Sequence, residues 1–174
     1  ANLEQDGWSK PSFLKDGKDW FDVIITNGSE QLQSQMQEPL KIMQCFSFVY
    51  IKKLSETVTV YDLGQNFSGI PSISVSGSKY DTVKIYCGEL LNTDGTINQK
   101  ATGSPSYFTY ILKGDGEESW QPRFTYTGFR YMQVYCIPKD SGGVLPMLKN
   151  IEGLHIRNAA STIGSFTSSN ELFN

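Results

Sequence analysis

The sequence predicts an all-β protein, an antiparallel β-sandwich with the start of a helix at its C-terminal end. Three observations carry this. Apolar residues recur with a period of two over most of the chain, turn signals separate the runs, and no helical stripe lies between them. Short strands in that arrangement pack as antiparallel layers, because a parallel sheet would need helical crossovers. At 174 residues the chain is long enough to close one core without staples.

The first forty residues stand apart. Trp8 and Trp20 bracket a polar loop, SKPSFLKDGKD, and a Gln-rich stretch over residues 31–38 reads as an edge strand or an extended connector. Strands are then expected at residues 55–63 (SETVTVYDL), 70–75 (IPSISV), 82–87 (TVKIYC), 107–112 (YFTYIL), 123–137 and 153–156, with a last one at IGSF, residues 163–166. The breaks between them are SGSK at 76–79, Asp94-Gly95, Gly114-Asp115-Gly116 and the loop 138–146. Ser168 and Glu171 have capping-box spacing ahead of Leu172 and Phe173, so a helix is expected to begin there. A single turn is not stable alone, which suggests a piece of a longer protein. The expected organisation is a linker or edge segment packed on the sandwich (1–40), the sandwich (41–167) and the start of a truncated helix (168–174).

The richest strand is WQPRFTYTGFRYMQVY, residues 120–135. Alternation assigns Phe124, Tyr126, Met132 and Val134 to the core face together with Arg130, and Phe129, Tyr131 and Tyr135 to the opposite face. A buried Arg130 would need an acceptor, unless a bulge at Gly128 shifts the register. Three rings on an outer face suit a surface covered by a neighbouring domain. Trp120 reads as core.

Charge excludes one class of partner. With 15 basic and 18 acidic residues and no basic cluster beyond Lys52-Lys53, the chain has no electrostatic source for gripping nucleic acid. No apolar run is long enough to span a bilayer as a helix, and residues 1–10 lack the features of a secretory leader, so no membrane partner is expected. One histidine and three dispersed cysteines give no zinc spacing, and Cys87 and Cys136 continue core-facing alternations as free thiols. Neither metal nor cofactor is expected.

Partial motifs fail on their details. Asn92-x-Asp94-Gly95-x-Ile97-Asn98 looks like the middle of an EF-hand loop, but its end positions fall on Leu90 and Ala101, which leaves a turn. Gly114-x-Gly116 precedes a strand, so no helix end is available for a pyrophosphate. His155 has no nucleophile elbow with it, and no sequence pattern singles out a carboxylate pair for glycoside hydrolysis. The triplets Asn27-Gly28-Ser29 and Asn66-Phe67-Ser68 match the glycosylation acceptor pattern without further context.

Three segments together resemble one family. YDLGQNFSGIPSISVSG (61–77), YILKGDGEESWQPRFTYTGFRYMQV (110–134) and IGSFTSSNELFN (163–174), with CGELLNTDGTI (87–97) between, are similar to the β-sandwich domain of bacterial α-L-rhamnosidases of glycoside hydrolase family 78. LEQDGWSKPSF (3–13) resembles the end of a preceding linker. The resemblance implies a jelly-roll, concanavalin-like sandwich that precedes a catalytic (α/α)6 barrel in the same parent chain. The parent would hydrolyse terminal α-L-rhamnosides of glycans or glycosides by an inverting mechanism, in a periplasmic or extracellular bacterial setting. Its catalytic acid and base would lie beyond Asn174, so no residue of this chain inherits a catalytic role. The expected function is therefore that of an accessory domain supporting the barrel, with Phe129, Tyr131, Tyr135, Leu172 and Phe173 at the domain interface. The alternative is an autonomous carbohydrate-binding module for a rhamnose-containing carbohydrate. Trp8 and Trp20 are its candidate substrate-binding residues, although packing is the plainer role for such rings.

Overall fold

A computed structural model describes residues 3–14, 20–28, 31–103 and 105–174. Among these, eight strands form one curled antiparallel sheet: β1 (Leu40–Ser47), β2 (Tyr50–Lys53), β3 (Val58–Ser76), β4 (Thr82–Gly88), β5 (Tyr107–Ile111), β6 (Glu117–Trp120), β7 (Thr127–Ile137) and β8 (Met147–Asn158). The main path runs β1-β8-β3-β7-β4-β5, with β2 and β6 each added alongside β3. The architecture is that of the expected concanavalin-like sandwich.

β3 makes the curl. Its first half pairs with β2 and β7, its second half with β8 and β6, so one strand of 19 residues serves both layers. Inward side chains from the two halves meet in a single core: Ile73 and Val75 of β3, Ile151 of β8, Val83 and Ile85 of β4, Met132 and Val134 of β7. Residues 55–63 and 70–75, expected as two strands, are therefore parts of one.

The bend between the halves lies at residues 63–66. Asp62 pairs with Tyr131 and Phe67 with Phe129, so four residues of β3 face the single residue Arg130. Gly64 takes φ 84° here, a conformation that costs a side-chain-bearing residue a Cβ clash. The Asp62 carboxylate accepts its N–H at 2.8 Å. The same carboxylate takes two hydrogen bonds from the Arg130 guanidinium, at 2.8 and 2.9 Å. Arg130 thus has its acceptor, and the irregularity lies on the strand opposite Arg130, not at Gly128.

That register reset corrects the face assignment of Phe129. Strict alternation puts it outside with Tyr131; in the structure it is 0% exposed, against Phe67 with ring centroids 4.8 Å apart. Phe124 and Tyr126, assigned to the core, are instead exposed, because β7 begins only at Thr127 and Phe124 takes φ 60° in the preceding turn. Phe67 itself is accommodated by a missing side chain. A Cβ on Gly153 would stand 2.4 Å from its Cζ.

Other departures are local. β1 and β2 were not legible in the pattern, because nearly all their residues are exposed and only Phe46 of β1 packs on the core. Residues 163–166, expected as a strand, form none, and 31–38 form none either, which leaves the connector of the two expected alternatives. At the C-terminal end Glu171–Phe173 forms one 3-10 turn, and its cap is Asn170, whose side chain accepts from the Leu172 N–H, and not Ser168. Cys45, Cys87 and Cys136 are free, with Cys87 buried and its thiol pKa pushed up by that burial.

Candidate functional site

The residues singled out in the sequence are dispersed. Trp8 is half-exposed and donates to Glu4 at 3.4 Å; Trp20 donates to the Gln5 side chain at 2.7 Å and leans on Phe13. The two rings share a shallow cavity of about 270 Å³ with Leu3, Glu4 and Gln5. Residues 15–19 of the loop between them, and Ser29 of the first Asn-x-Ser triplet, lie outside the described residues. Leu172 and Phe173 are exposed at the C-terminal turn. Phe129 belongs to the core, as above, and so is no interface residue.

Two of the concavities among the described residues are lined by strand aromatics. The larger, about 700 Å³, opens where β5 and β6 separate at the edge of the sandwich, with Phe108, Tyr110, Trp120, Arg123 and Glu4 among its walls. Trp120 packs on Tyr110 at 5.4 Å and on Phe108 at 6.2 Å. Glu118 organises this end. Its carboxylate accepts from the Tyr110 hydroxyl at 2.8 Å, the Lys113 N–H at 3.0 Å and the Gly114 N–H at 2.8 Å. Partial burial acts to raise the Glu118 pKa, but these hydrogen bonds outweigh it and hold the carboxyl below its usual range. Burial and the same carboxylate push the Tyr110 phenol up. The motif G-D-G-E-E is thus a tight turn with an anchor, and Gly114 takes φ 86° within it. Lys113 then ties the N-terminal segment to this edge through Asp6 at 3.1 Å.

The second concavity lies on the outer face of β4 and β7. Gln133, buried although it points away from the core, accepts from the Ile97 N–H at 2.8 Å and donates to the Tyr135 hydroxyl at 2.6 Å. This lashes the 89–103 loop across the sheet. Ile97 rests on Gly88, where a Cβ would come within 2.4 Å of its Cγ2. Asp94, the centre of the calcium-like string, spends its carboxylate on the Thr96 N–H and hydroxyl, and Gly95 takes φ 89°. The string is a turn. Between loop and sheet remains a cup of about 300 Å³, beside Tyr86, Gln99, Gln133 and Tyr135. Tyr131 and Tyr135 do stand on this outer face, both half-buried. Sequence reasoning missed Tyr86 and Tyr107, whose alternation with core residues was the available signal.

The remaining polar groups have structural partners. Buried Asp81 accepts from the Ser78 N–H at 2.7 Å and the Lys139 N–H at 2.8 Å, joining two turns. His155 is half-buried, its Nδ1 2.9 Å from the Ser68 carbonyl oxygen and its ring beside those of Phe46 and Phe67, at 6.4 and 6.0 Å. Among the described residues no group of three or more His, Cys, Asp or Glu side chains converges as a metal site would.

A curled antiparallel sheet without an α-helix among its described residues, its concavities lined by strand aromatics, defines a concanavalin-like β domain. The profile of the "Bacterial alpha-L-rhamnosidase concanavalin-like domain" matches residues 52–157, and the chain belongs to that family. The α-L-rhamnosidase of Streptomyces avermitilis is 37% identical over 141 residues, which is 79% of this chain and 14% of that protein. An α-L-rhamnosidase of Formosa agariphila is 30% identical over 182 residues, covering 100% of this chain and 18% of that protein. The crystal structure of native α-L-rhamnosidase from Aspergillus terreus superposes with a TM-score of 0.80 at 26% identity, over 99% of this chain and 20% of that one. The chain therefore spans between 14% and 20% of the length of these relatives.

Proposed function

We propose that this chain is an accessory, non-catalytic β-sandwich domain of an α-L-rhamnosidase acting on terminal α-L-rhamnosides of glycans or glycosides. In this reading residues 41–167 are the sandwich, 1–40 a segment packed along its edge, and 168–174 the lead into a catalytic (α/α)6 barrel of the same parent chain. One observation carries it: the matches cover 79% to 100% of this chain yet account for 14% to 20% of each relative. The local chemistry supports it too, since Asp62, Asp81 and Glu118 are each spent on backbone N–H groups that hold turns in place. Asp62 and Glu118 are moreover held below the usual carboxylate range, and a carboxylate so held is a poor general acid near neutrality.

The barrel would dock on the apolar side of the β1 edge. Leu40, Ile42, Phe124 and Tyr126 are exposed together around a shallow hollow of about 610 Å³, and Leu172 and Phe173 add exposed apolar surface at the C-terminal turn. The test is an assay of the 174-residue chain against an aryl α-L-rhamnoside, beside a longer parent chain carrying the same domain. Hydrolysis by the parent and none by the 174 residues is expected. Turnover by the 174-residue chain would overturn the reading, as would a parent without rhamnosidase activity.

A further inference from the structure

The outer face of β4, β5 and β7 carries a row of rings that the core does not use. Tyr135, Tyr86 and Tyr107 occupy adjacent strands, with centroids 5.5 Å apart from the first to the second and 5.2 Å from the second to the third. Lys84, directly paired with Tyr135, holds its Nζ 3.6 Å over the Tyr107 ring and 5.2 Å from the Tyr86 ring. The row ends at the cup beneath the 89–103 loop. We propose that this row and cup form a saccharide-binding site, taking one pyranose ring in the cup and the adjoining sugar along the tyrosines. The proposal rests on the reading of the chain as a rhamnosidase domain and adds a binding role to the supporting one.

Three features favour a sugar. The cup's volume of about 300 Å³ stands at the lower end of small-molecule sites, roughly 300–1,000 Å³. Its walls are fixed before any ligand arrives, which lowers the ordering cost of binding. Gln133 is held by the Ile97 N–H and the Tyr135 hydroxyl, and Gln99 by the Cys87 carbonyl and the Ser106 N–H. Finally, the Tyr135 oxygen accepts from Gln133, so its own proton is available to a ligand hydroxyl, and the Lys84 ammonium adds donors beside two aromatic faces. Aromatic rings edged with hydroxyl, amide and ammonium groups match a pyranose, which has an apolar C–H face and a polar rim. The base of a nucleotide would also stack, but the chain's net charge of -3 offers the phosphates no overall attraction.

The experiment is an NMR titration of the 174-residue chain with L-rhamnose and with methyl α-L-rhamnoside, followed in backbone amides and tyrosine ring signals. Saturable shifts are expected at residues 84–86, 96–99, 107 and 133–135. Tyr86→Ala and Tyr107→Ala should each weaken binding about tenfold, as loss of one stacking surface does, while amide shifts elsewhere stay in place and report an intact fold. Three results would overturn the proposal: no saturable shift with either probe, shifts centred on Trp8 and Trp20 or on the Trp120 cleft, or binding unchanged in both variants. Covering of this face by the barrel in the parent chain, seen as loss of the same shifts there, would also overturn it. Rhamnosidase activity of the parent is measured separately, so failure of the site leaves the domain assignment standing and failure of the assignment is visible on its own.

Discussion

Truncating Phe129 separates the two possible readings of β7 more sharply than any other single change. If strict alternation held, Phe129 would share the outer face with Tyr131, and its removal would cost little. In the structure it is 0% exposed and its ring meets Phe67, itself seated over Gly153 between β3 and β8. Phe129→Ala then loses the transfer energy of a fully buried ring and leaves a cavity that the neighbouring rings fill only partly. Buried Phe→Ala changes cost roughly 3–5 kcal/mol, and a lost aromatic pair belongs at the upper part of that range. For a chain of this length each kcal/mol moves Tm by about 2–4 °C, so a fall of roughly 10 °C or more is expected. The assay is thermal unfolding, with urea unfolding beside it, followed by tryptophan fluorescence and far-ultraviolet circular dichroism, with Tyr131→Ala as the comparison. Tyr131 is half-buried on the outer face, and its loss should cost about 1 kcal/mol or less. Equal and small effects of the two substitutions would refute the register reset at Arg130.

Gly153→Val should destabilise at least as strongly, by about 3 kcal/mol or more, because its Cβ would stand 2.4 Å from the Phe67 ring; a soluble variant with an unshifted urea midpoint would contradict that packing. Asp81→Ala strips two backbone N–H groups of a buried acceptor, a loss of about 2–3 kcal/mol readable by the same unfolding curves, and a neutral result would show that solvent satisfies both. Acid unfolding should follow Asp62 and Glu118, held below the ordinary carboxylate range by the Arg130 guanidinium and by the turn N–H groups respectively. A depressed folded pKa contributes stability that is complete above the unfolded value, about 4, and is lost as pH falls through the folded one. Stability measured from pH 7 downward should therefore hold until about pH 4 and then drop, and Glu118→Gln should flatten the drop; an unchanged slope in that variant would remove Glu118 from the account. Ellman's reagent on the native chain should modify exposed Cys45 readily and buried Cys87 only on unfolding, whereas rapid native labelling of Cys87 would place it outside the core.

The layer formed by β4, β5 and β7 was legible in the sequence because β4 and the later part of β7 alternate: Val83, Ile85 and Cys87, then Met132 and Val134, are the residues that fill the core. β3 was legible in its parts and not as a whole. A period-two pattern reports only which face a residue takes relative to its neighbours, and at residues 63–66 the chain bends from one layer to the other, so the phase before the bend says nothing about the phase after it. Phe129 lies opposite that bend, which is why its face could not be inferred from Tyr131 two residues away. The local cue was Asp62-Leu63-Gly64, an acidic side chain two residues ahead of a glycine, able to cap the glycine N–H and open a bulge. Arg130 was the second cue, since a cation in an otherwise apolar strand needs an anion and Asp62 is the residue the register brings to it. β1 and β2 lacked any signal, because a strand that buries almost nothing has no alternation to read. The outer cup was hidden for a different reason. Tyr86, Gln99, Gln133 and Tyr135 come from three separate segments, and only the 89–103 loop, folded back through the Gln133 side chain, makes one site of them.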